Sequence, residues 1–567
     1  MHAPDELGST PQELRIVRPW TYDRSRILGD TKCSRSVWII ADELPSTRRQ
    51  AGGSVSYATH VLLGAALPPA GESGAVGSTP NSAIKRLATP HAFVTPTPAM
   101  LLGLSDMPLW LIPLLALLLY IVSNYVKHRG RPPLAPGPLP LPVIGNALDV
   151  PTKNMAPNFH ALNTKYGDVV YLDPLGQPMV ILGTHETALD LLEKRSSIHS
   201  DRNVSVLTLW SGWGWLFTTQ HYGPGWRRLR KMFHQHFTPT AILSYREVQE
   251  QEAHHFALRL LEDPKDFLQH IRFAFASTVL RITYGIEQKA STMTVHRLRD
   301  VPWERTVAKI RGGTAIPSIA TSLMKDVPDV KSGEVTEEEV AAKKVTATAY
   351  AAGADTTLST MQSFFLAMAS NPDAQRKAQA ELDAVVGRQR LPTFADRESL
   401  PYVCALISEC LRWRPVAPLG FPHRSTEDDC FRGYFIPKGT VTIANVWAYS
   451  RDTRYYPDPE AFSPERFLKD GKPNPDVLDP AAFVFGYGRR ICPGRHFADA
   501  SLFMLTATVL HTLTISAPLD AHGHPVKLEG KMTAGVISYP EPFEADIKSR
   551  GSWAEALVRE SCSAVNV

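Results

Sequence analysis

The chain has 567 residues, 44% hydrophobic and 20% charged, which supplies a large core and excludes disordered or collagen-like classes. Its 60 basic and 56 acidic residues give a net charge of +4 with no long basic run, so a nucleic-acid partner gains no support. Six cysteines share no C-x-x-C spacing, which disfavours disulfide frameworks and zinc ribbons and makes reduced cytosolic thiols the default.

Residues 1–99 are rich in Ser, Thr, Pro, Gly and Ala and keep no period of 2 or 3.6, so they are expected to be a disordered or artefactual extension. A membrane anchor is expected within 100–126, because 107–126 carries no charge and matches the ~20 residues that span a hydrocarbon core. Lys127, His128, Arg129 and Arg131 follow at once, a basic flank that holds the C-terminal side in the cytosol. A start at Met100 or Met107 would make this an ordinary N-terminal anchor. The stretch 127–146 is proline-rich, hence stiff and extended, and reads as a hinge ahead of a body at 147–548 and a tail at 549–567.

In the body, Val169–Leu172 and Met179–Leu182 are β-rich runs around a turn, and helical patterns begin at His185. Thr336 before three glutamates marks the start of a long helix of some thirty residues, and Asn371-Pro372 opens another that ends near Gly387. Short β-like runs recur at 434–437 and 441–444. The class is mainly α with a small β lobe.

Phe485-Gly-Tyr-Gly-Arg-Arg-Ile-Cys-Pro-Gly494 sets one cysteine in a glycine-bounded loop ahead of a helix-like run at 496–510. Glycines admit close backbone approach to a metal-bound sulfur, and a helix N-terminus with a nearby arginine is expected to lower the thiol pKa. Here the chain resembles the cytochrome P450 family of haem-thiolate monooxygenases, through Phe485, Gly488, Arg490, Cys492 and Gly494. The resemblance implies a cytochrome P450 fold, haem b as cofactor and Cys492 as the axial iron ligand.

It also covers other stretches. Glu409-Cys-Leu-Arg412 matches the family's E-x-x-R pair, and Arg466 in Pro464-Glu-Arg-Phe467 would complete a structural triad. Trp226 and Arg230 match a W-x-x-x-R helix that binds a haem propionate, with His423 and Arg490 sharing the propionates. Arg227, Arg228 and Lys231 are candidates for a face that docks an acidic electron donor. Ala352-Gly-Ala-Asp-Thr-Thr357 puts a glycine and polar residues inside a long helix, a local conflict that suggests a functional distortion. The resemblance implies that O2 sits there over the iron and that Thr356 and Asp355 relay protons. Trp210, Trp213, Trp215, Phe217, Leu419, Phe421 and 534–537 match or adjoin pocket-lining positions, which suggests apolar, flat or polycyclic ligands.

Between Trp226 and Asp355 the chain is several tens of residues shorter than the family usually is. The stretch 289–300 is too brief for the two helices that roof the substrate pocket. The implied activity is insertion of one oxygen atom of O2 into a lipophilic substrate, such as a terpenoid, steroid or polycyclic aromatic, in fungal secondary metabolism or xenobiotic oxidation. No flavin or nicotinamide motif is present, so NADPH would act through a separate membrane reductase. The implied location is the endoplasmic reticulum membrane, single-pass, with the catalytic domain in the cytosol. The rival readings are a haem-binding pseudoenzyme and an O2-independent haem-thiolate isomerase or dehydratase; the retained Asp355-Thr356 pair argues against the latter.

Overall fold

The computed structural model describes residues 130–287, 295–327 and 335–563, with scattered helical positions between 111 and 123. Residues 1–99 and most of the expected anchor lie outside the described residues. Among those described, no helix is long and apolar enough to cross a membrane.

After the proline-rich stretch come α1 (Met155–Tyr166), β1 (Val169–Leu172) and β2 (Met179–Leu182). The two strands pair antiparallel with Val169 opposite Leu182, the hairpin and bounds read from the sequence. The chain then runs through α2 (Val206–Trp210), α3 (Pro224–His236), α4 (Arg246–Glu262), α5 (Phe267–Tyr284), α6 (Val295–Arg311) and α7 (Ile319–Met324) to α8 (Glu337–Ser370). Helix α8 starts as predicted: the Thr336 hydroxyl accepts the Glu339 N–H at 3.1 Å, a cap that satisfies one orphan donor. Three glutamates in its first turn complement the helix dipole. Helices α9 (Pro372–Val385) and α10 (Pro401–Trp413) follow.

Strands β3 (His423–Arg424), β4 (Asp429–Phe431), β5 (Tyr434–Ile436) and β6 (Val441–Ala444) form the β portion. A four-stranded sheet has the order β1-β2-β6-β3, with β2 and β6 parallel. Helix α11 (Arg495–Thr512) runs behind the cysteine loop into β7 (Leu513–Ser516), which pairs with β8 (Asp546–Ser549). The last stretch, expected as a tail, folds as α12 (Ser552–Ser563), with Ala554, Val558 and Cys562 buried at four-residue spacing along one face.

The principal core joins α4, α5, α8, α10 and α11 through residues such as Phe256, Phe275, Phe365, Leu406 and Phe503. Phe267 of α5 stacks on Phe365 of α8 with ring centroids 5.3 Å apart. At the other end of the same contact, a Cβ at Gly353 would come 3.1 Å from Val279. The glycine in mid-helix is thus explained by close approach of α5. One helix, α6, occupies the region where the roof was expected to be cut short. It is tied to its neighbours by Thr306, whose hydroxyl donates to the Tyr284 carbonyl at 2.9 Å, and by Trp303 Nε1, which donates to Glu339 at 3.1 Å.

Candidate active site

The cysteine loop is held by its own backbone. Gly486 and Gly488 adopt φ of 75° and 56°, and a Cβ at Gly488 would lie 2.3 Å from the Leu192 carbonyl oxygen, so no side chain fits there. The Cys492 N–H donates to the Phe485 carbonyl at 2.8 Å. Gly494 precedes α11, so the sulfur sits at a helix N-terminus, where it accepts the Gly494 N–H. The expected lowering of the thiol pKa is not found. Burial pushes the thiol up, by more than the Gly494 N–H and the charges of Arg230 and Arg495 pull it down. A bound metal cation would reverse that balance by deprotonating a coordinating thiol.

Arg490, two residues earlier, donates from Nε to the Ser200 carbonyl at 2.7 Å and from Nη2 to the Gln220 carbonyl at 2.8 Å. Its Nη1 is buried with no partner, and so is Trp226 Nε1. The Arg490 guanidinium lies 4.2 Å from the centre of the Trp226 ring, which brings those two donors together. Arg230, one turn along α3, donates to the Ile491 carbonyl at 2.5 Å. His423 is buried on β3, and its Nδ1 lies 2.6 Å from the His199 carbonyl oxygen, so Nδ1 carries a proton.

A further cation went unread in the sequence. Arg202 donates to the carbonyls of Phe421 and Pro422 at 2.6 and 2.8 Å, beside His423. Burial and then the adjacent Arg490 depress its guanidinium, with Asp201 opposing them. Arg490 is likewise depressed by burial, with Asp201 raising and Arg230 lowering it. His423 is pushed far below the usual imidazole range by burial and then by Arg202. No spacing rule marks Arg202; only the fold carries it from the loop before α2 to this cluster.

On α8, residues 345–350 and 357–369 are buried, whereas Ala352 and Asp355 between them are exposed. The Thr356 hydroxyl donates to the Ala352 carbonyl at 2.8 Å, and the helix continues unbroken, so the expected distortion is confined to this back-bond.

The predicted triad is assembled. Glu409 and Arg412 on α10 are fully buried and paired twice at 2.7 Å, with Arg466 3.3 Å from the same carboxylate. The Ser463 N–H adds a bond to Glu409 at 2.8 Å.

Some aromatic and basic candidates separate. Phe217 packs in the core against Phe233, and Trp210 is exposed on α2. Leu419 packs against the sheet, and Phe421 is exposed. Arg228 of the suggested docking face is already paired with Glu337 and Glu338, and Arg227 lies over the Tyr222 ring.

The family model for Cytochrome P450 matches residues 135–296 and 314–544. This chain belongs to the cytochrome P450 family. Cytochrome P450 monooxygenase COX2 of Coprinopsis cinerea is 37% identical over 492 residues, covering 78% of this chain and 93% of that protein. Cytochrome P450 monooxygenase 208 of Postia placenta is 37% identical over 500 residues, 78% of this chain and 96% of the other. Cytochrome P450 monooxygenase claR of Ampulloclitocybe clavipes is 32% identical over 496 residues, 78% and 90% respectively. The protein is therefore a cytochrome P450 monooxygenase. Because 78% of 567 residues is about 440 while the first alignment spans 492 positions, that relative carries about fifty residues with no counterpart here. The family match is interrupted at 297–313, which takes in most of α6 and the two glycines after it.

Cytochromes P450 use haem, and this cytochrome P450 has the donors to hold one. Two buried N–H groups without partners, Trp226 Nε1 and Arg490 Nη1, share one place with Arg202, Arg230 and His423. A set of cations and donors with Asp201 as its anion fits the carboxylates of a porphyrin. The glycine-bounded Cys492 sulfur fits the iron.

Proposed function

We propose that this monooxygenase inserts one atom of O2 into a lipophilic substrate of terpenoid, steroid or polycyclic class, with NADPH electrons delivered through a separate reductase. The single observation that carries the haem-thiolate reading is the pairing of the Cys492 loop with the unpartnered donors of Trp226 and Arg490. Cys492 Sγ would hold the iron of haem b, and Trp226, Arg230, Arg490 and His423 its propionates, with Arg202 added to that set. Bound there, haem supplies the redox-active iron at which O2 is reduced. The Thr356 hydroxyl, already oriented by the Ala352 carbonyl, keeps its oxygen lone pairs free to accept a proton and a rotatable O–H to pass one on. Asp355, exposed beside it, takes protons from solvent.

Thr356→Ala should therefore leave haem content near normal while NADPH consumption continues, with peroxide released in place of product. Product yield per NADPH equal to that of wild type would remove Thr356 from the relay. A product screen with terpenoid, steroid and polycyclic panels identifies the substrate class.

We further infer that residues 107–126 anchor the body of 147–548 on the cytosolic side of the endoplasmic reticulum membrane. The basic flank supports this orientation. Leu139, Val143 and Leu148, just beyond the anchor, are 91%, 85% and 78% exposed, as suits a surface that meets lipid headgroups and acyl chains. In sealed microsomes, added protease should digest the catalytic domain; protection of that domain would overturn this topology.

A further inference from the structure

We propose that Ser359 and Ser538 form a strap that selects substrates by shape, by fixing how far the apolar tip at 534–537 stands from the Thr356 segment of α8. The inference rests on the haem-monooxygenase reading above and adds the positioning residues that set one wall of its pocket.

The chain at 531–541 doubles back as a tight bend. The Glu541 N–H donates to the Lys531 carbonyl at 2.8 Å and the Thr533 N–H to the Tyr539 carbonyl at 2.7 Å. Inside the bend, the Tyr539 N–H donates to the Thr533 hydroxyl at 2.9 Å, and the Ser538 hydroxyl donates to the Thr533 carbonyl at 2.8 Å. Ala534, Gly535 and Val536 are exposed at the tip, while Ser538 just behind them is buried. An exposed tip without a polar side chain suits contact with a lipophilic ligand.

Ser538 ties this bend to two other segments. Its N–H donates to the Val416 carbonyl at 2.8 Å, in the loop between α10 and β3 that also carries Leu419 and Phe421. Its carbonyl accepts the buried Ser359 hydroxyl at 2.5 Å. With its own hydroxyl on Thr533, every polar group of Ser538 is engaged.

The partner that Ser359 takes is what makes it a strap. A serine or threonine within a helix can return its hydroxyl to the carbonyl four residues back. On α8, Thr346 and Thr356 do so, to Ala342 and Ala352 at 2.9 and 2.8 Å. Ser359 instead donates across to the bend. It shares a face with Ala352, Asp355 and Thr356 and lies one turn beyond Asp355, so the bend is pinned about one helical pitch, ~5 Å, from the exposed part of that face. Releasing it would leave a buried donor and a buried carbonyl unpaired, which holds the bend in one place. A wall fixed in this way discriminates between ligands by what fits beneath it.

The test uses the full-length, haem-loaded protein and two iron-binding probes that need no reductase: imidazole, and 4-phenylimidazole, which adds a second ring. Ser359→Ala should weaken 4-phenylimidazole several-fold in spectral titration, while imidazole stays within twofold. Val536→Ala should weaken the same probe, and the double variant should be no worse than the weaker-binding single one, because the strap acts through the tip. Independently of the haem site, the amides of Thr533 and Tyr539 should exchange hydrogen faster in Ser359→Ala. Wild-type affinity for 4-phenylimidazole in Ser359→Ala overturns the strap and leaves the haem reading standing. An equal loss for both probes marks general loosening and overturns it as well, as does a double variant that loses the full sum of the two effects. Unchanged exchange at Thr533 and Tyr539 overturns the claim that Ser359 holds the bend. If neither azole alters the absorption of the wild-type protein, the haem-thiolate reading itself falls.

Discussion

Replacing Cys492 by alanine should abolish the thiolate-type absorption of the reduced, carbon monoxide-bound protein and bring product formation to background. None of the other described cysteines can take its place. Cys404 and Cys410 lie on α10, where burial raises both thiols, Cys430 is exposed on β4, and Cys562 is buried on α12. Among the described cysteines, Cys492 alone joins a sulfur to left-handed glycines, a helix N-terminus and the donors of Trp226, Arg230 and Arg490. Because those donors remain in the variant, some haem should still be retained, with altered ligation. A wild-type thiolate spectrum from Cys492→Ala would refute the assignment.

The largest expected loss of stability comes from Arg412. All five of its N–H donors are engaged: two by Glu409, and the others by the carbonyls of Ser450, Pro459 and Ala461 at 2.9, 2.8 and 3.1 Å. One guanidinium thus fastens α10 to the loop at 450–461. Arg466 fastens the far side by donating to the carbonyls of Pro457 and Asp458. Removing Arg412 leaves the buried Glu409 to Arg466 and the Ser463 N–H alone and strips three carbonyls of their donor, at a cost of roughly 3–5 kcal/mol. Arg412→Ala should show that loss in denaturant unfolding or, if the margin is smaller than the loss, in failure to accumulate folded protein. Arg412→Lys should rescue little, since an ammonium cannot reproduce the planar fork. Stability within 1 kcal/mol of wild type in Arg412→Ala, on the scale of an exposed pair, would show that the triad does not hold the loop.

What the sequence made legible were features written locally. The hairpin of β1 and β2, the Thr336 cap, the glycine loop around Cys492 and the Glu409–Arg412 pair each lie within a short window where spacing alone fixes geometry. Arg202 and the burial of Phe217 lie beyond that reach, because Arg202 depends on Phe421 and Pro422, brought from far along the chain, and Phe217 on a core that also takes in residues such as Ile319 and Ala341. The direction of the Cys492 thiol shift was misread for a related reason. Helix end and arginines are visible in sequence, whereas the desolvation that outweighs them is a property of packed neighbours. The packed helix α12 was missed because its apolar stripe of Ala554, Val558 and Cys562 is too small to stand out among polar neighbours.

The gathering of Arg202, Arg230, Arg490 and His423 bears on how much of this protein a cell can keep. The four come from separate stretches of chain, and each is depressed by burial, with a like charge nearby adding to it. Guanidinium groups do not release their protons, so that depression is borne as a weaker fold. A ligand carrying two carboxylates relieves it, and any ligand that binds only the folded state stabilises that state by mass action. Chains made faster than haem is supplied would meet proteases in their less stable form. Haem supply then governs abundance before it governs turnover.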